Sequence, residues 1–221
     1  MSDPELVAYY KARAAEYERV YEKPERQADL RRLHEIIPPL FEGRRVLELA
    51  CGTGYWTRRI VPHVASLTGV DAAPETLLVA RANQPAQDNV TLRVGDVYDL
   101  AKIPGEFDAA FAGFWWSHVR RRDLARFLGG LHARLEPNSL VVFADNCYVE
   151  GSSWPITRPD ANGDTFQSRT LENGSRHKVL KNFPTPDEVK REIEAAGGVD
   201  VSVVALQHYW YATYYCRHED A

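Results

Sequence analysis

The chain has 221 residues, 44% hydrophobic and 26% charged, with a formal net charge of −4, which suits one soluble globular domain with a single sizeable core. A net negative balance supplies no global field to recruit nucleic acid or an anionic membrane surface. No apolar run reaches the length of a membrane span, the Ser2-Asp3-Pro4-Glu5 start does not read as a signal peptide, and Cys51, Cys147 and Cys216 lie far apart without metal-type spacing; reduced thiols in the cytoplasm are expected.

In chain order, Ser2 with Glu5 forms a capping-box pattern and Pro4 suits a first helical turn. Tyr10, Ala14, Tyr17 and Tyr21 then share one face at helical spacing, with Arg13 at its border. A second helical pattern runs from Pro24 through Leu30, Leu33 and Ile37 to Pro38-Pro39. Val46-Leu47-Glu48-Leu49 reads as a buried strand, Ala50-Cys51-Gly52-Thr53-Gly54 as a sharp turn, and Tyr55 to about Val64 as a helix that Pro62 ends or bends. Leu67–Asp71, Val90–Val97 and Phe107–Phe114 read as further strands, with helices from Pro74 and over Arg120–Leu135 between and after them. Ser139–Ala144 is a continuously apolar fifth strand. Strands alternating with helices predict a doubly wound, mostly parallel sheet covered on both faces. After a helix over Pro186–Ala196, Val199–Gln207 and Tyr209–Cys216 are too close in sequence for a crossover and predict a terminal antiparallel hairpin.

The glycine turn carries the chemistry. Gly52 and Gly54 leave no Cβ where a ligand approaches the main chain, and N–H groups at the next helix start favour polar or negative ligand groups. A dinucleotide fingerprint needs a third small residue where Thr57 stands, which disfavours a nicotinamide oxidoreductase. Instead, Val46–Gly54 resembles motif I of the class I S-adenosylmethionine-dependent methyltransferases, with Ala50 where a first glycine often stands. Asp71, about twenty residues on, sits where a carboxylate accepts ribose hydroxyl protons. The Gly95-Asp96 strand end and the end of the Phe107–Phe114 strand match the family in the same order.

The resemblance implies a seven-stranded Rossmann-like sheet in a single domain over 1–221, the terminal hairpin included, and S-adenosylmethionine as cofactor. It implies cofactor contacts from Glu48, Ala50, Cys51, Gly52, Gly54, Asp71, Ala72, Asp96, Val97, Gly113 and Phe114. An N-terminal helical lid over 1–40 would add Tyr10, Arg13 and Tyr17. His118 is the candidate general base, its alternative role being a local hydrogen bond that orients the loop. Trp115, Trp116, Asp145, Asn146 and Arg169 are candidates for the acceptor site. Two adjacent tryptophans cannot both face one core from one strand, so one of them is expected at a cavity. Asp145-Asn146 resembles the metal-binding pair of catechol-type O-methyltransferases, but Ala112-Gly113-Phe114 offers no third carboxylate, and no metal is expected.

Residues 148–183 form an insert whose Asn173-Gly174 predicts a hairpin flap over the acceptor pocket. Its excess of Arg158, Arg169, Arg176, His177, Lys178 and Lys181 over Asp160, Asp164 and Glu172 fits either an anionic acceptor or an ordinary solvated face. The expected reaction is methyl transfer to oxygen or nitrogen of a small molecule by a monomer or homodimer, with no nucleic acid or membrane partner. A non-catalytic cofactor-binding or regulatory protein is the alternative from another class, and a methyltransferase of protein or nucleic acid the other enzyme alternative. Amino-directed DNA enzymes of this fold carry a polar-Pro-Pro-aromatic motif after the fourth strand, where this chain has Gly113-Phe114-Trp115-Trp116.

Overall fold

A computed structural model describes residues 4–83 and 87–217, so the Ser2 half of the expected capping box lies outside the described residues. Strands β1 (Arg45–Leu49), β2 (Ser66–Asp71), β3 (Val90–Val94), β4 (Ala109–Gly113), β5 (Ser139–Asn146), β8 (Gly198–Ala205) and β9 (Tyr209–Cys216) make one sheet in the order β3-β2-β1-β4-β5-β9-β8. The first five run parallel, while β9 pairs antiparallel with β5 and with β8. The order reverses between β1 and β4, which opens the crevice where doubly wound sheets take their ligands.

Period-two alternation splits the core across the sheet. Leu47, Leu49, Ala110, Ala112, Val141 and Phe143 face one side, where α5 (Leu124–His132) and α6 (Pro186–Ala195) pack. Val46, Ala109, Phe111, Leu140 and Val142 face the other, against α2 (Gln27–Ile36) and the 3-10 turn Pro38–Phe41. Each fully buried large apolar side chain contributes roughly 1.5–3 kcal/mol of transfer free energy, so the two clusters fix the register. In α5 the spacing of Leu124, Phe127, Leu128 and Leu131 buries the predicted face. A capping box starts α6, with Thr185 accepting from the Glu188 N–H at 3.2 Å and Glu188 from the Thr185 N–H at 2.7 Å.

Several elements depart from the sequence expectations. α1 (Pro4–Arg13) stops short, and Ala14–Tyr21 continues as a 3-10 helix. The tyrosine row survives the change, with the Tyr10 and Tyr17 rings edge-on at 5.6 Å and Tyr17 and Tyr21 at 6.0 Å. The helix after the glycine turn is only α3 (Thr57–Ile60), followed by a 3-10 turn around Pro62, because Cys51–Trp56 is spent on turns. β3 ends at Val94, where Gly95 fits against Val70 and Ile103 with no room for a Cβ. Between α3 and β3 lies α4 (Pro74–Asn83). The insert forms the predicted hairpin, β6 (Phe166–Thr170) and β7 (Arg176–Leu180), turning through Gly174 at φ 81°. No helix among the described residues is long and apolar enough to cross a membrane.

Candidate active site

The carboxyl ends of β1, β2, β4 and β5 converge on two adjoining cavities. The first lies over the glycine turn and is walled by small residues, Ala50, Gly52, Ala72, Ala73 and Gly113. Ala50 (φ 49°) and Gly52 (φ 55°) are both left-handed, which is why glycine suits the first position and why Ala50 stores backbone strain beside a ligand site. Asp71 closes this pocket. Its carboxylate accepts from the Gly52 N–H at 2.9 Å, the Ala73 N–H at 2.8 Å and the Thr76 hydroxyl at 3.0 Å. Burial raises its pKa, and these hydrogen bonds oppose the rise. Within the turn itself the Gly52 N–H donates to Asp71 and the Gly54 N–H to the Cys51 carbonyl at 3.0 Å. Trp115 lines this pocket, and its indole N–H is buried with no partner among the described residues. Small walls, an anchored carboxylate and an orphan donor fit a ligand that presents hydroxyl groups and acceptor atoms.

The second cavity, about 240 Å³, lies between the Ala14–Tyr21 segment, the ends of β4 and β5, and the hairpin. Arg13, Arg19, Lys23, Arg26, Arg169 and Lys181 line it, against Glu16 alone. Arg13 and Arg169 both donate to the Tyr9 hydroxyl, at 2.9 and 3.2 Å, and Arg169 also to the Gln167 side-chain oxygen at 2.8 Å. Arg26 is buried and donates to Asn146 at 3.0 Å and Ser152 at 3.1 Å, beside the face of Tyr209. Thus among the described residues these three guanidinium groups hydrogen-bond to neutral oxygens. Arg19 instead pairs with Glu172, and Lys181 with Asp145 at 3.2 Å. Burial pulls the Lys181 amine down to about 8.

Tyr10, Tyr17, Phe114 and His118 line both cavities and form the wall between them. Phe114 reaches this position at φ 62°, a strained setting for a large side chain, held by its N–H to the Ala144 carbonyl. His118 Nδ1 lies 2.7 Å from the Leu180 carbonyl oxygen, which only accepts, so Nδ1 carries the proton and Nε2 accepts from the Tyr10 hydroxyl at 2.7 Å. Burial, Lys181 and Arg169 push the imidazole well below its usual pKa, and burial lifts the Tyr10 phenol well above its own.

Comparison with known proteins decides the family. A methyltransferase-domain model matches residues 46–138, the glycine turn through the helix after β4. The chain is similar to the DhpI–SAM–HEP complex, with 28% identity, 97% of this chain and 99% of that chain covered and a TM-score of 0.79; the DhpI–SAH complex gives 28%, 96% of each chain and 0.75. It is also 26% identical over 189 residues to a demethylmenaquinone methyltransferase of Staphylococcus aureus (strain JH9), covering 77% of this chain and 76% of the relative. Together the matched domain and these similarities support a class I S-adenosylmethionine-dependent methyltransferase.

Within this methyltransferase the sequence candidates separate. Ala50, Gly52, Asp71, Ala72, Val97, Gly113, Phe114, Trp115, Tyr10 and Tyr17 line the first pocket, while Arg13, Asn146 and Arg169 line the basic chamber. Arg13 lines the chamber and not the pocket over the glycine turn, because α1 ends there and its guanidinium turns to Tyr9. Glu48 and Cys51 sit in a separate small recess behind the turn. There the Thr57 hydroxyl donates to Glu48 at 2.6 Å, and burial pushes that carboxyl up to about 8. Gly54 packs against Ala80, and Asp96 accepts from the Tyr98 N–H at 3.0 Å, just outside the pocket wall. Of the two tryptophans, Trp115 is the cavity residue. Trp116 is core, with its ring against Phe143 at 5.1 Å and Trp210 at 5.9 Å, and does not reach the chamber. Asp145 does not reach it either, since its oxygens accept from Ser117, Asn146 and Lys181. From the insert only Arg169 and Lys181 bring charge to the chamber. Arg19, Lys23, Arg26 and Tyr9 escaped the sequence reading, although basic residues recurring between tyrosines from Tyr9 to Arg26 are a signal for them.

Proposed function

We propose that the enzyme transfers the methyl group of S-adenosylmethionine to an oxygen or nitrogen of a small anionic acceptor held in the basic chamber. The support is that a cavity lined by six cationic side chains shares a four-residue wall with the pocket over the glycine turn. Asp71 would hold the ribose hydroxyls, Val97 with Asp96 would border the adenine, and Trp115 would donate its orphan N–H. Bound there, the cofactor supplies a methyl group already activated on a positive sulfur. The residues are then left with alignment, exclusion of water and disposal of a proton.

The N-terminal segment acts as a lid in this scheme. Glu18 joins it to the turn, accepting from the Thr53 hydroxyl at 2.9 Å and from Arg58 at 2.9 and 3.1 Å. The hairpin acts as a flap, contributing Gln167, Arg169, Thr170 and Leu171 to the chamber. The staphylococcal relative is named for a small-molecule acceptor, and the DhpI complex contains both SAM and HEP.

The test is formation of S-adenosylhomocysteine from S-adenosylmethionine with a panel of hydroxybenzoates and aminobenzoates beside neutral phenols and anilines. Turnover of the anionic members, lost on Arg169→Gln with the cofactor affinity kept, is the expected result. A preference for the neutral members would overturn the assignment of the chamber.

A further inference from the structure

The wall between the cavities is where acceptor and methyl group must meet, and two of its polar groups, Tyr10 and His118, are hydrogen-bonded in one direction. His118 has no free nitrogen, because Nδ1–H is committed to Leu180 and the Nε2 lone pair to Tyr10. The Tyr10 proton is committed in turn to His118, so Tyr10 Oη offers only lone pairs to a bound ligand. The other hydroxyl on the wall, that of Tyr17, is hydrogen-bonded with Tyr21. Tyr10 and His118 pack edge-on at 5.4 Å and 86°, with Arg13, Arg169 and Lys181 as the charged groups around them.

Building on the anionic-acceptor reading, we propose that Tyr10 is the catalytic residue that takes the acceptor's proton, and that His118 is a positioning residue that receives Tyr10's own. The nucleophile is thus a hydroxyl or amine that still carries hydrogen, on a molecule whose anionic group sits among the arginines. As the O–CH3 or N–CH3 bond forms, the S–CH3 bond breaks with its electron pair left on sulfur, giving S-adenosylhomocysteine. The acceptor's proton passes to Tyr10 Oη while the Tyr10 proton passes to His118 Nε2. The resulting imidazolium keeps both N–H groups bonded, to Leu180 and Tyr10, and the proton leaves to solvent along the same pair when product departs. Burial and positive neighbours make His118 a weak base, which suffices because methylation makes the departing proton far more acidic than that of the free acceptor.

Binding tests this without turnover. The complex with S-adenosylhomocysteine is titrated with benzoate and with 3- and 4-hydroxybenzoate. The wild type is expected to prefer a hydroxylated ligand by about tenfold, one good hydrogen bond. Tyr10→Phe is expected to lose that preference while keeping its affinity for benzoate and S-adenosylhomocysteine. His118→Asn, which keeps a donor for Leu180 but lacks Nε2, should lose it as well, and serves alone if Tyr10→Phe does not fold. In 15N spectra of histidine-labelled protein, His118 should be the neutral Nδ1–H form, with the Nε2 signal displaced by Tyr10→Phe. An equal preference in wild type and both variants, or loss of S-adenosylhomocysteine binding in Tyr10→Phe, would overturn the proposal. Failure of all three benzoates to bind would instead remove the anionic-acceptor reading beneath it.

Discussion

Asp71 and Glu48 are two acids near one turn with opposite duties. Asp71 both faces the pocket and pins Gly52, so Asp71→Ala removes a ligand contact and releases the turn. Its affinity for S-adenosylhomocysteine should fall by roughly ten- to a hundredfold, the range for losing hydrogen bonds to a charged group, whereas His118→Ala should change it little. Equal losses in a calorimetric titration would count against the assignment. Glu48 is a stability residue with a pH signature. Its carboxyl titrates at about 8 in the fold against an ordinary 4.5, so the folded protein holds a proton that the unfolded chain releases. Stability therefore falls as pH rises from about 4.5 to 8, by at most roughly 1.4 kcal/mol per unit. Glu48→Gln should flatten the melting temperature across that window and overtake the wild type near its top. An unchanged slope would show that Glu48 titrates normally. The sequence marked both acids but not their division of labour, which depends on Thr57 reaching back to Glu48.

At the level of elements, the glycine turn, the hairpin and the terminal strand pair were legible because each has a local cause: φ that favours glycine, an Asn-Gly corner, and a linker too short to cross over. The N-terminal segment was half legible. Its tyrosine spacing marked a packed face, but not the switch from α to 3-10 winding after Arg13, nor that Arg19, Lys23 and Arg26 line the chamber. Ion pairs set by tertiary contact, such as Arg19 with Glu172 and Glu18 with Arg58, leave no trace in sequence spacing. If this segment is a lid, amide exchange over Pro4–Tyr21 should slow several-fold on adding S-adenosylhomocysteine, and Glu18→Gln should weaken that protection. Unchanged exchange in both states would make the segment a fixed wall. Arg169→Gln should reduce affinity for benzoate by roughly tenfold or more, as for a hydrogen bond to a charged group, without altering S-adenosylhomocysteine binding.

For the whole molecule, apolar strands alternating with helices dictate a parallel sheet, and the site follows because ligands gather at the strand ends beside the reversal of order. The basic chamber was less accessible to sequence, since a protein of net charge −4 gathers six cations around one cavity from segments over 150 residues apart. The most direct measurement is calorimetric titration of the protein with S-adenosylmethionine, S-adenosylhomocysteine and NADH in parallel. Micromolar binding of the two adenosyl ligands and none of NADH is expected. Absent adenosyl binding, or a preference for NADH, would contradict the pocket assignment from which the rest follows.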